Sequence, residues 1–420
     1  MAIDPDGSNR RVLAKRPLAA AFWFVEWSPS QDTLAAVANV KSDMALFRVD
    51  LPAGSMRNLS GPDWTIGQPA WSSDGSTIFA PGTDASSTIM EIWAFDAGTG
   101  IHRALTASST WYMEYTLSAT AKDDLVANSL AAETNLWTTD HSGQLLAISA
   151  LRGEGSISAV WVDNRIVTGT TNEMVVHGPD GRNPTKLRSY SSLYRQLARC
   201  GPDHVVYWAS DAKRASHIAR TDITTGSSSA LTDGPIDGQP TCTADGSTLV
   251  FVHCSEQDHC VLARKSLDSG QSLDLYQFTS EDTGDTTPSV SPDGKNVLFW
   301  RYSRGEDSYE WAAIVSLSGG EVKKVRMPVP AGQFGLLRWA ADGKSILYLR
   351  NESGVENIWS VPLAGGVPTR VTSFDSDQRI FAFDVSPDNR LVISRGNWVS
   401  DVVLIKNVRE GTDRPLATAN

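Results

Sequence analysis

The sequence predicts an all-β fold, a β-propeller built from four-stranded antiparallel blades. Two observations carry this prediction. A short motif recurs at intervals of 40 to 49 residues: an apolar and a small residue, then Asp-Gly or a substitute, then a β-rich run. The rest of each interval also repeats, because an alternating strand and a Gly-rich turn lead into a strand that ends in Leu or Val followed by Thr or Ser. Four strands in about 45 residues is the spacing of propeller blades.

The motif occurs nine times, and its first residue gives each predicted blade an anchor. The nine anchors are Trp27, Trp71, Leu117, Val160, Cys200, Cys242, Val290, Trp339 and Val385. Nine copies predict nine blades in a single domain over residues 1–420, and an eight-bladed ring with one degenerate copy is the alternative. In each copy Asp-Gly supplies the tight turn, since Gly accepts a positive φ and Asp caps its own turn.

The two ends of the sequence complement each other. The last copy supplies three strands, and the first residues supply the tail of a third strand and a whole fourth one. The segment "NRRVLA" at 9–14 is therefore predicted to pair beside "DVVLIKN" at 401–407, so that residues 1–16 complete the last blade. Such a clasp removes an open sheet edge, which otherwise invites aggregation.

Tryptophan follows the repeat. Six of the 14 tryptophans fall in two shared registers, one in the first strand and one in the third: Trp27, Trp71 and Trp339, and Trp93, Trp137 and Trp359. A residue that recurs in one register of a repeat is interpreted as packing between sheets rather than as part of a ligand cage.

Composition excludes several classes of partner. The net charge of −11 and the pI near 5.1 would repel a phosphate backbone, so no nucleic-acid partner is expected. No run of 18 apolar residues occurs, so this segment is not expected to insert into a membrane. A monomer is predicted.

The sequence carries no motif for catalysis or for a cofactor. G-x-S-x-G is absent, and the nearest string, "GEGSISA", has the wrong spacing. No P-loop, dinucleotide fingerprint or EF-hand loop occurs. The chain is therefore predicted not to be an enzyme and to hold no cofactor. Calcium in the acidic loops "DGPIDGQ" (233–239) and "EDTGDTT" (281–287) stays open as an alternative to plain solvated loops.

The four cysteines are placed in pairs. Cys254 and Cys260 flank a five-residue loop within one hairpin, and cross-strand positions of this kind suit a disulfide. Cys200 and Cys242 occupy the same register in neighbouring blades, where they are either bonded or too far apart. Paired placement fits an oxidising compartment, and four free thiols are the alternative.

A binding site is predicted at the funnel mouth, by counting five residues back from each anchor. Repeat positions that only pack should repeat, whereas positions that face an asymmetric ligand should differ from blade to blade. The counted ring varies in this way, and with two flanking tryptophans it gives the candidates Trp64, Trp111, Tyr112, Arg195, Asp237, Asp285 and Phe334. Apolar walls with a few charges are typical of ligand sites. Packing of loop tops is the alternative reading.

The motif "W-S-x-D-G-x-x-I/L-x-F", followed by "I-W-x-x-x-x-x-G-G" and "L-T", resembles the repeat of TolB-like β-propellers over almost the whole chain. The closing segment "VTSFDSDQRIFAFDVSPDNRLVISRGNWVSDVVLIKNVR" is similar to the propeller sensor regions of bacterial, especially acidobacterial, serine/threonine kinases. Related propellers follow winged-helix regulators. The resemblance implies an extracytoplasmic sensor module that binds an unknown small molecule or an envelope protein.

Three alternatives remain beside the sensor. The first is a propeller scaffold that binds a cell-envelope protein as TolB does. The second is a hydrolase, or a propeller associated with one, with an unrecognised site in the funnel. The third concerns location, since a cytoplasmic module is the alternative to a periplasmic or surface one.

Overall fold

The computed structural model describes most of the chain. The residues outside the description are 1–5, 7, 10–11, 13–21, 41–42, 52, 63, 85–89, 107–110, 113–115, 141, 151–156, 171–172, 188–195, 211–215, 235, 257–258, 280–285, 303–309, 329–335, 407 and 409–420. All regular structure in the described part is β-strand, which confirms the all-β prediction. In this part of the chain no helix is long and apolar enough to cross a membrane.

The chain divides into two compact units. Unit 1 is Met1–Ala131 with Val399–Asn420, and unit 2 is Ala132–Trp398. Two long strands belong to both: β12 (Leu125–Thr139) and β35 (Leu391–Ile405). The single domain and the ring of nine or eight blades stay predictions. Three of the nine anchors lie in unit 1 and six in unit 2.

Unit 1 contains the first three copies of the motif. Its strands, besides parts of β12 and β35, are β1 (Phe22–Trp27), β2 (Thr33–Val40), β3 (Asp43–Asp50), β4 (Ser55–Asn58), β5 (Thr65–Ile66), β6 (Ala70–Trp71), β7 (Thr77–Thr83), β8 (Glu91–Asp96), β9 (His102–Ala104), β10 (Trp111–Tyr112) and β11 (Ser118–Ala119). Strands β1 to β4 pair in order, β5 and β6 both pair with β7, and β10 and β11 both pair with β12.

Unit 2 contains the other six copies. Its remaining strands are β13 (Leu145–Ala150), β14 (Ser158–Val162), β15 (Arg165–Gly169), β16 (Met174–His177), β17 (Thr185–Leu187), β18 (Ala198–Arg199), β19 (His204–Ser210), β20 (Ser216–Asp222), β21 (Ser228–Ala230), β22 (Ile236–Cys242), β23 (Thr248–Glu256), β24 (His259–Ser266), β25 (Ser272–Gln277), β26 (Ser289–Val290), β27 (Asn296–Tyr302), β28 (Glu310–Ser316), β29 (Lys323–Arg326), β30 (Leu337–Trp339), β31 (Ser345–Glu352), β32 (Val355–Pro362), β33 (Thr369–Arg370) and β34 (Arg379–Val385).

These strands form six four-stranded arrays, and the arrays that begin at β18 and β22 are also joined by a parallel pairing of Ser216 with Ile236. Five consist of consecutive strands and begin at β14, β18, β22, β26 and β30; the sixth has the order β34-β35-β12-β13. The first strand of each array contacts the first strand of the next, and β34 returns to contact β14. The first strands β14, β18, β22, β26, β30 and β34 are therefore the innermost strands of unit 2.

The Asp-Gly turns have the predicted conformation. Gly294, for example, has a φ of 69°. The side chain of Asp293 accepts hydrogen bonds from the Ser291 hydroxyl at 2.6 Å and from the backbone N–H of Lys295 at 3.1 Å. These bonds, chiefly the one from Ser291, lower the pKa of Asp293, because they favour the ionised carboxylate.

Tryptophan anchors fasten one sheet to the preceding one. The indole N–H of Trp71 donates to the Glu26 carbonyl at 3.1 Å, and that of Trp339 donates to the Ser289 carbonyl at 3.0 Å. In both cases the acceptor residue directly precedes the anchor of the previous copy. Both tryptophans are buried, which confirms their packing role, whereas Trp27 is 49% exposed.

The predicted N-terminal clasp is not tested. Most of "NRRVLA" lies outside the described residues, so its pairing with 401–407 stays a prediction. Within unit 2 a different arrangement joins the ends: the sheet of β34 and β35 continues into β12 and β13. Side chains strengthen this junction, since the Thr138 hydroxyl donates to the Leu391 carbonyl at 2.7 Å. The Thr139 hydroxyl accepts from the Leu391 N–H at 2.8 Å.

Gly396 is required at this junction. A Cβ at this position would overlap the Glu133 carbonyl oxygen and come within 2.7 Å of Thr134 Cα. Because both obstacles are backbone atoms, we expect Gly396→Ala to lower the free energy of unfolding by roughly 3 kcal/mol and the melting temperature by about 5–10 °C. The control is Gly238→Ala, another strand glycine, where a Cβ meets open space. Equal melting temperatures for the two variants in calorimetry would contradict this account.

Candidate functional site

A cavity of about 310 Å³ lies among the innermost strands of unit 2. Every innermost strand contributes the residue that directly precedes its anchor. These six lining residues are Ala159, Arg199, Thr241, Ser289, Arg338 and Asp384. The anchors themselves belong to apolar clusters between neighbouring sheets. We call the six residues the lining ring.

Three members of the lining ring are charged. The Nε atom of Arg338 lies 3.9 Å from Oδ1 of Asp384, and one terminal nitrogen of the same guanidinium donates to the Leu337 carbonyl at 2.8 Å. The other carboxylate oxygen of Asp384 accepts the backbone N–H of Trp161 at 2.9 Å. Arg199 belongs to the sheet that begins at β18, and it is close enough for its charge to stabilise the ionised form of Asp384.

Burial dominates the electrostatics of this group. Burial raises the pKa of Asp384, since desolvation disfavours the carboxylate, and the Arg338 cation opposes that rise. Burial likewise lowers the pKa of Arg338, with Asp384 opposing. Both ions therefore bear a desolvation cost that their mutual attraction offsets only in part.

We number the six sheets of unit 2 by their innermost strands, from β14 (first) to β34 (sixth). The three consecutive junctions from the first sheet to the fourth are each linked by residues outside the lining ring. The Ser158 hydroxyl accepts the Gln196 N–H at 3.0 Å, which joins the first and second sheets. A disulfide between Cys200 and Cys242 joins the second and third. The Gln239 side-chain oxygen accepts from the Thr286 N–H at 2.7 Å and joins the third and fourth.

The other three junctions use residues of the lining ring. The Trp339 indole donates to the carbonyl of Ser289, which joins the fourth and fifth sheets. Arg338 and Asp384 join the fifth and sixth. Asp384 accepts from Trp161 of the first sheet. Each junction between neighbouring sheets of unit 2 thus has a specific polar or covalent link. The last link, from Asp384 to Trp161, joins the sixth sheet to the first.

Backbone strain marks the same region. Gln196, Gln239 and Thr287 have φ values of 62°, 52° and 38°, in the left-handed region, and each precedes an anchor by three or four residues. Such conformations cost about 1–3 kcal/mol each for non-glycine residues. Gln196 and Thr287 line the cavity. The Thr287 hydroxyl is buried without a hydrogen-bond partner in the described part of the chain.

Of the predicted site residues, Asp237 is the best defined. Its carboxylate is buried and lies 2.7 Å from Nδ1 of His253, which faces it across the β22–β23 pair. Asp237 is not among the residues that line the cavity. The calcium alternative for its loop stays a prediction, because residue 235 and residues 280–285 lie outside the description.

The other predicted site residues are divided between buried and undescribed positions. Trp64 packs in the core of unit 1, edge-on to the rings of Trp93 and His102. Strand β10 contains Trp111 and Tyr112, whose side chains the structure does not describe. Three candidates lie outside the described residues altogether: Arg195, Asp285 and Phe334.

Sequence reasoning missed the charged group at Arg199, Arg338 and Asp384. The signal was present, because each of the three directly precedes an anchor. A count of one residue back from the anchors, instead of five, gives the lining ring. The count of five reaches residues that lie before the innermost strands begin or, for β22 and β34, at their second position.

Both cysteine pairs are bonded in the structure. Cys254 and Cys260 are directly opposite across the β23–β24 pair, with Cα atoms 4.0 Å apart. Cys200 and Cys242 have Cα atoms 4.9 Å apart, within the range a disulfide needs. Equivalent positions of neighbouring sheets come this close because the innermost strands converge on the cavity.

The arrangement defines an all-β protein of the propeller type, and comparison with solved structures agrees. A protein assigned as TolB from Agrobacterium tumefaciens is 13% identical, with a TM-score of 0.52 over 64% of this chain and 100% of its own. An oligogalacturonate lyase in complex with manganese is 13% identical, with a TM-score of 0.39 over 88% of this chain and 98% of its own. The first likeness shows a TolB-like β-propeller fold.

Sequence comparison adds little to this. No family model matches the chain. Dipeptidyl-peptidase 5 from Porphyromonas gingivalis is 26% identical over 128 residues, which is 28% of this chain and 19% of that protein. The match therefore spans about a fifth of the relative's length and defines no activity for this chain.

The two disulfides should differ in their effect on stability. Cys200–Cys242 closes a loop of 42 residues and Cys254–Cys260 a loop of 6. On loop entropy alone the first contributes about 4 kcal/mol and the second about 2 kcal/mol. Paired Cys→Ala variants, compared by urea unfolding, should show the larger loss for Cys200 and Cys242. The reverse order, or free thiols in the unreduced, denatured protein, would contradict the assignment.

Asp384 should make stability depend on pH. The pKa of Asp384 is raised in the folded state, so folding favours the protonated carboxyl. The contribution of Asp384 to stability is therefore complete below about pH 3.9, where the unfolded carboxyl titrates, and is lost as the pH rises through the pKa of the folded state. Asp384→Asn lacks this titration. We expect its free energy of unfolding to gain on that of the wild type as pH rises from about 4 to about 7.

A control of opposite sign is available for that measurement. The pKa of Asp293 is lowered, so its stabilising contribution is present above about pH 3.9 and lost as pH falls. The free energy of unfolding of Asp293→Asn should therefore fall relative to that of the wild type as pH rises. A difference between Asp384→Asn and the wild type that stays constant over this range would show that the burial of Asp384 has no energetic consequence.

Proposed function

We propose that this chain is a non-catalytic binding module that recognises a protein partner, and that the cavity of unit 2 is its recognition site. The observation that carries the proposal is the composition of the lining ring. The scaffold around it repeats, since turn glycines and apolar anchors recur from sheet to sheet. The ring itself reads Ala, Arg, Thr, Ser, Arg, Asp. Variation in charge and polarity at positions that face the cavity is expected when a ligand without sixfold symmetry is bound.

The composition of the cavity also favours binding over catalysis. Among the described residues that line it there is no histidine, and the one cysteine, Cys242, is bonded to Cys200. Neither a nucleophile paired with a base nor a pair of carboxylates is present among the lining residues. Arg199, Arg338 and Asp384 are groups that bind and orient a polar ligand.

One observation favours a hydrolase as a second candidate. Asp237 holds Nδ1 of His253, which is the arrangement of a general base and the carboxylate that orients it. In the described part of the chain no hydroxyl or thiol is bonded to this histidine, so the third member of such a site is not in place. Fluorogenic ester and peptide substrates test this candidate, since His253→Ala should abolish any turnover that depends on the pair.

The remaining parts of the proposal concern context. Two disulfides favour an oxidising compartment, so we place the module outside the cytoplasm, in the periplasm or at the cell surface. Its role there is that of a monomeric sensor or scaffold for an envelope protein, as the TolB-like repeat suggests. The funnel-mouth candidates, including Arg195 and Asp285, stay in the proposal as residues that flank the site.

Blocking the cavity tests the proposal. Ala244 lines the cavity and is exposed, so Ala244→Trp should fill part of it without disturbing the core. The probe is a pool of N-acetylated tripeptides of random sequence, and the peptides retained by the protein are quantified by mass spectrometry after gel filtration. We expect the variant to retain about tenfold less than the wild type, and the control Ala230→Trp, on the exposed outer strand β21, to retain the same amount.

Two results would count against the proposal. Equal retention by Ala244→Trp and the wild type would place peptide binding outside the cavity. Retention by neither protein, with both folded by circular dichroism, would show that the cavity is not a peptide site.

A further inference from the structure

The charge of the cavity is opposite to that of the chain. The chain carries a net charge of −11. The cavity of unit 2 is lined by two arginines, Arg199 and Arg338, against one carboxylate, Asp384. Three partly buried ions with a net charge of about +1 share this space. An anion in that space would be attracted by the local charge even though the whole protein repels it.

Asp384 does not satisfy both cations. One of its oxygens is occupied by the Trp161 N–H, and the other lies 3.9 Å from Arg338 Nε, beyond hydrogen-bond distance. Each guanidinium has five N–H donors. The Arg338 guanidinium uses one of its donors on the Leu337 carbonyl. The backbone of Arg199 pairs with Val205 in the β18–β19 ladder, whereas its guanidinium makes no hydrogen bond to a described residue. Most donors of the two side chains are therefore available to an acceptor in the cavity.

A buried hydroxyl in the same cavity points the same way. Thr287 lines the cavity, and its Oγ1 has no partner among the described residues. A buried polar group without a partner costs about 1–3 kcal/mol, which a ligand with a polar group beside it would recover. The strained backbone of Thr287, with a φ of 38°, holds this hydroxyl where the innermost strand β26 begins.

We infer that the cavity of unit 2 binds a carboxylate carried by a peptide, with Arg199 and Arg338 as the two residues that hold it. The inference rests on the proposed function and names the chemical group that this site recognises. Guanidinium groups pair with carboxylates through two parallel, charge-assisted hydrogen bonds. One negative charge also matches the net charge of the three lining ions, whereas a dianionic phosphate would leave an excess negative charge in a buried space.

The volume of the cavity fits this group. A space of about 310 Å³ is at the lower end of ligand pockets and accepts the end of a peptide or one acidic side chain. Its walls include Leu336, Pro288 and Val160, which suit the apolar part of a residue that carries the charge. A carboxylate at a peptide C-terminus and one on an Asp or Glu side chain share the chemistry, and the experiment separates them.

The experiment uses N-acetylated random tripeptides in three pools. The first has a free C-terminal carboxylate and no Asp or Glu, the second is C-terminally amidated with one Asp or Glu, and the third is amidated without acidic residues. Retention is measured on the wild type, on Arg199→Gln and on Arg338→Gln. Arg182→Gln is the control, because it removes the same charge from a side chain that is 81% exposed and paired with Asp180.

We expect the wild type to retain the first or the second pool about tenfold better than the third, which identifies the source of the carboxylate. Arg199→Gln should lose about tenfold in retention of that pool, the loss of one charge-assisted contact, and Arg182→Gln should lose none. Arg338 also joins two sheets, so Arg338→Gln alone leaves the Asp384 carboxylate without its partner. Retention by this variant is therefore compared with retention by the double variant Arg338→Gln/Asp384→Asn, in which that charge is removed as well. Arg199→Gln removes no hydrogen bond of the described structure and carries the test where these variants do not fold.

Other outcomes overturn the inference in distinguishable ways. If all three pools bind equally and the arginine variants bind as the wild type does, the cavity recognises peptides without a carboxylate. The proposed function then stands and this inference fails. Sodium propionate or inorganic phosphate that binds while no pool does would show a site for a free small anion. Retention that is insensitive to both Ala244→Trp and Arg199→Gln would overturn the proposed function as well.

Discussion

Unit 2 depends on the convergence of its six innermost strands on one cavity. A four-stranded sheet has two faces to bury, and in unit 2 each sheet buries its faces against its neighbours. Apolar clusters between consecutive sheets supply the nonspecific part of this packing. Near the cavity, specific polar or covalent links join the sheets in addition to this packing. The 4.9 Å between the Cα atoms of Cys200 and Cys242 shows how close equivalent positions become.

The links differ in chemistry although the frame repeats. A hydroxyl, a disulfide, an amide, an indole and an ion pair each fasten a different junction. Their strengths differ accordingly. The disulfide does not depend on pH, whereas the link through Arg338 and Asp384 depends on the charge of two partly buried groups. Junctions on one side of unit 2 are thus fixed covalently or by neutral groups, and those of the sixth sheet respond to charge.

The sequence was sufficient for the repeat, the turns and the cysteine pair of the β23–β24 hairpin. These features are local, since Asp293 and Gly294 form their turn from adjacent residues and Cys254 faces Cys260 across a short loop. The anchors were also found, because an apolar residue in a fixed register indicates burial. How many copies surround one cavity is a different question. It depends on which strands that are distant in sequence meet, such as β12 and β35 in the last sheet, and no local pattern encodes that pairing.

The site shows the same limit more sharply. Choosing a ring of residues from a repeat requires the distance along the innermost strand at which side chains meet the cavity, and this distance is a tertiary property. Counting from the Asp-Gly turn identifies equivalent positions in each repeat, but it does not tell which of these positions faces the cavity. Arg199, Arg338 and Asp384 lie one residue before their anchors, so they were within reach of the same pattern read at another offset.

The position of Asp384 connects stability with recognition. Its carboxylate fastens the sixth sheet to the first through Trp161 and faces the fifth through Arg338, and among the described lining residues it is the only anion. An anion that engages Arg338 competes with Asp384 for the same cation, and Arg199 is a second cation close enough to act on Asp384. The two arginines come from the second and fifth sheets, so an anion held by both would join sheets that do not follow one another around the cavity. Occupation of the cavity would in this way replace a weak 3.9 Å ion pair by a bridge across unit 2, which is how a small ligand group can change the stiffness of a repeat architecture without changing its fold.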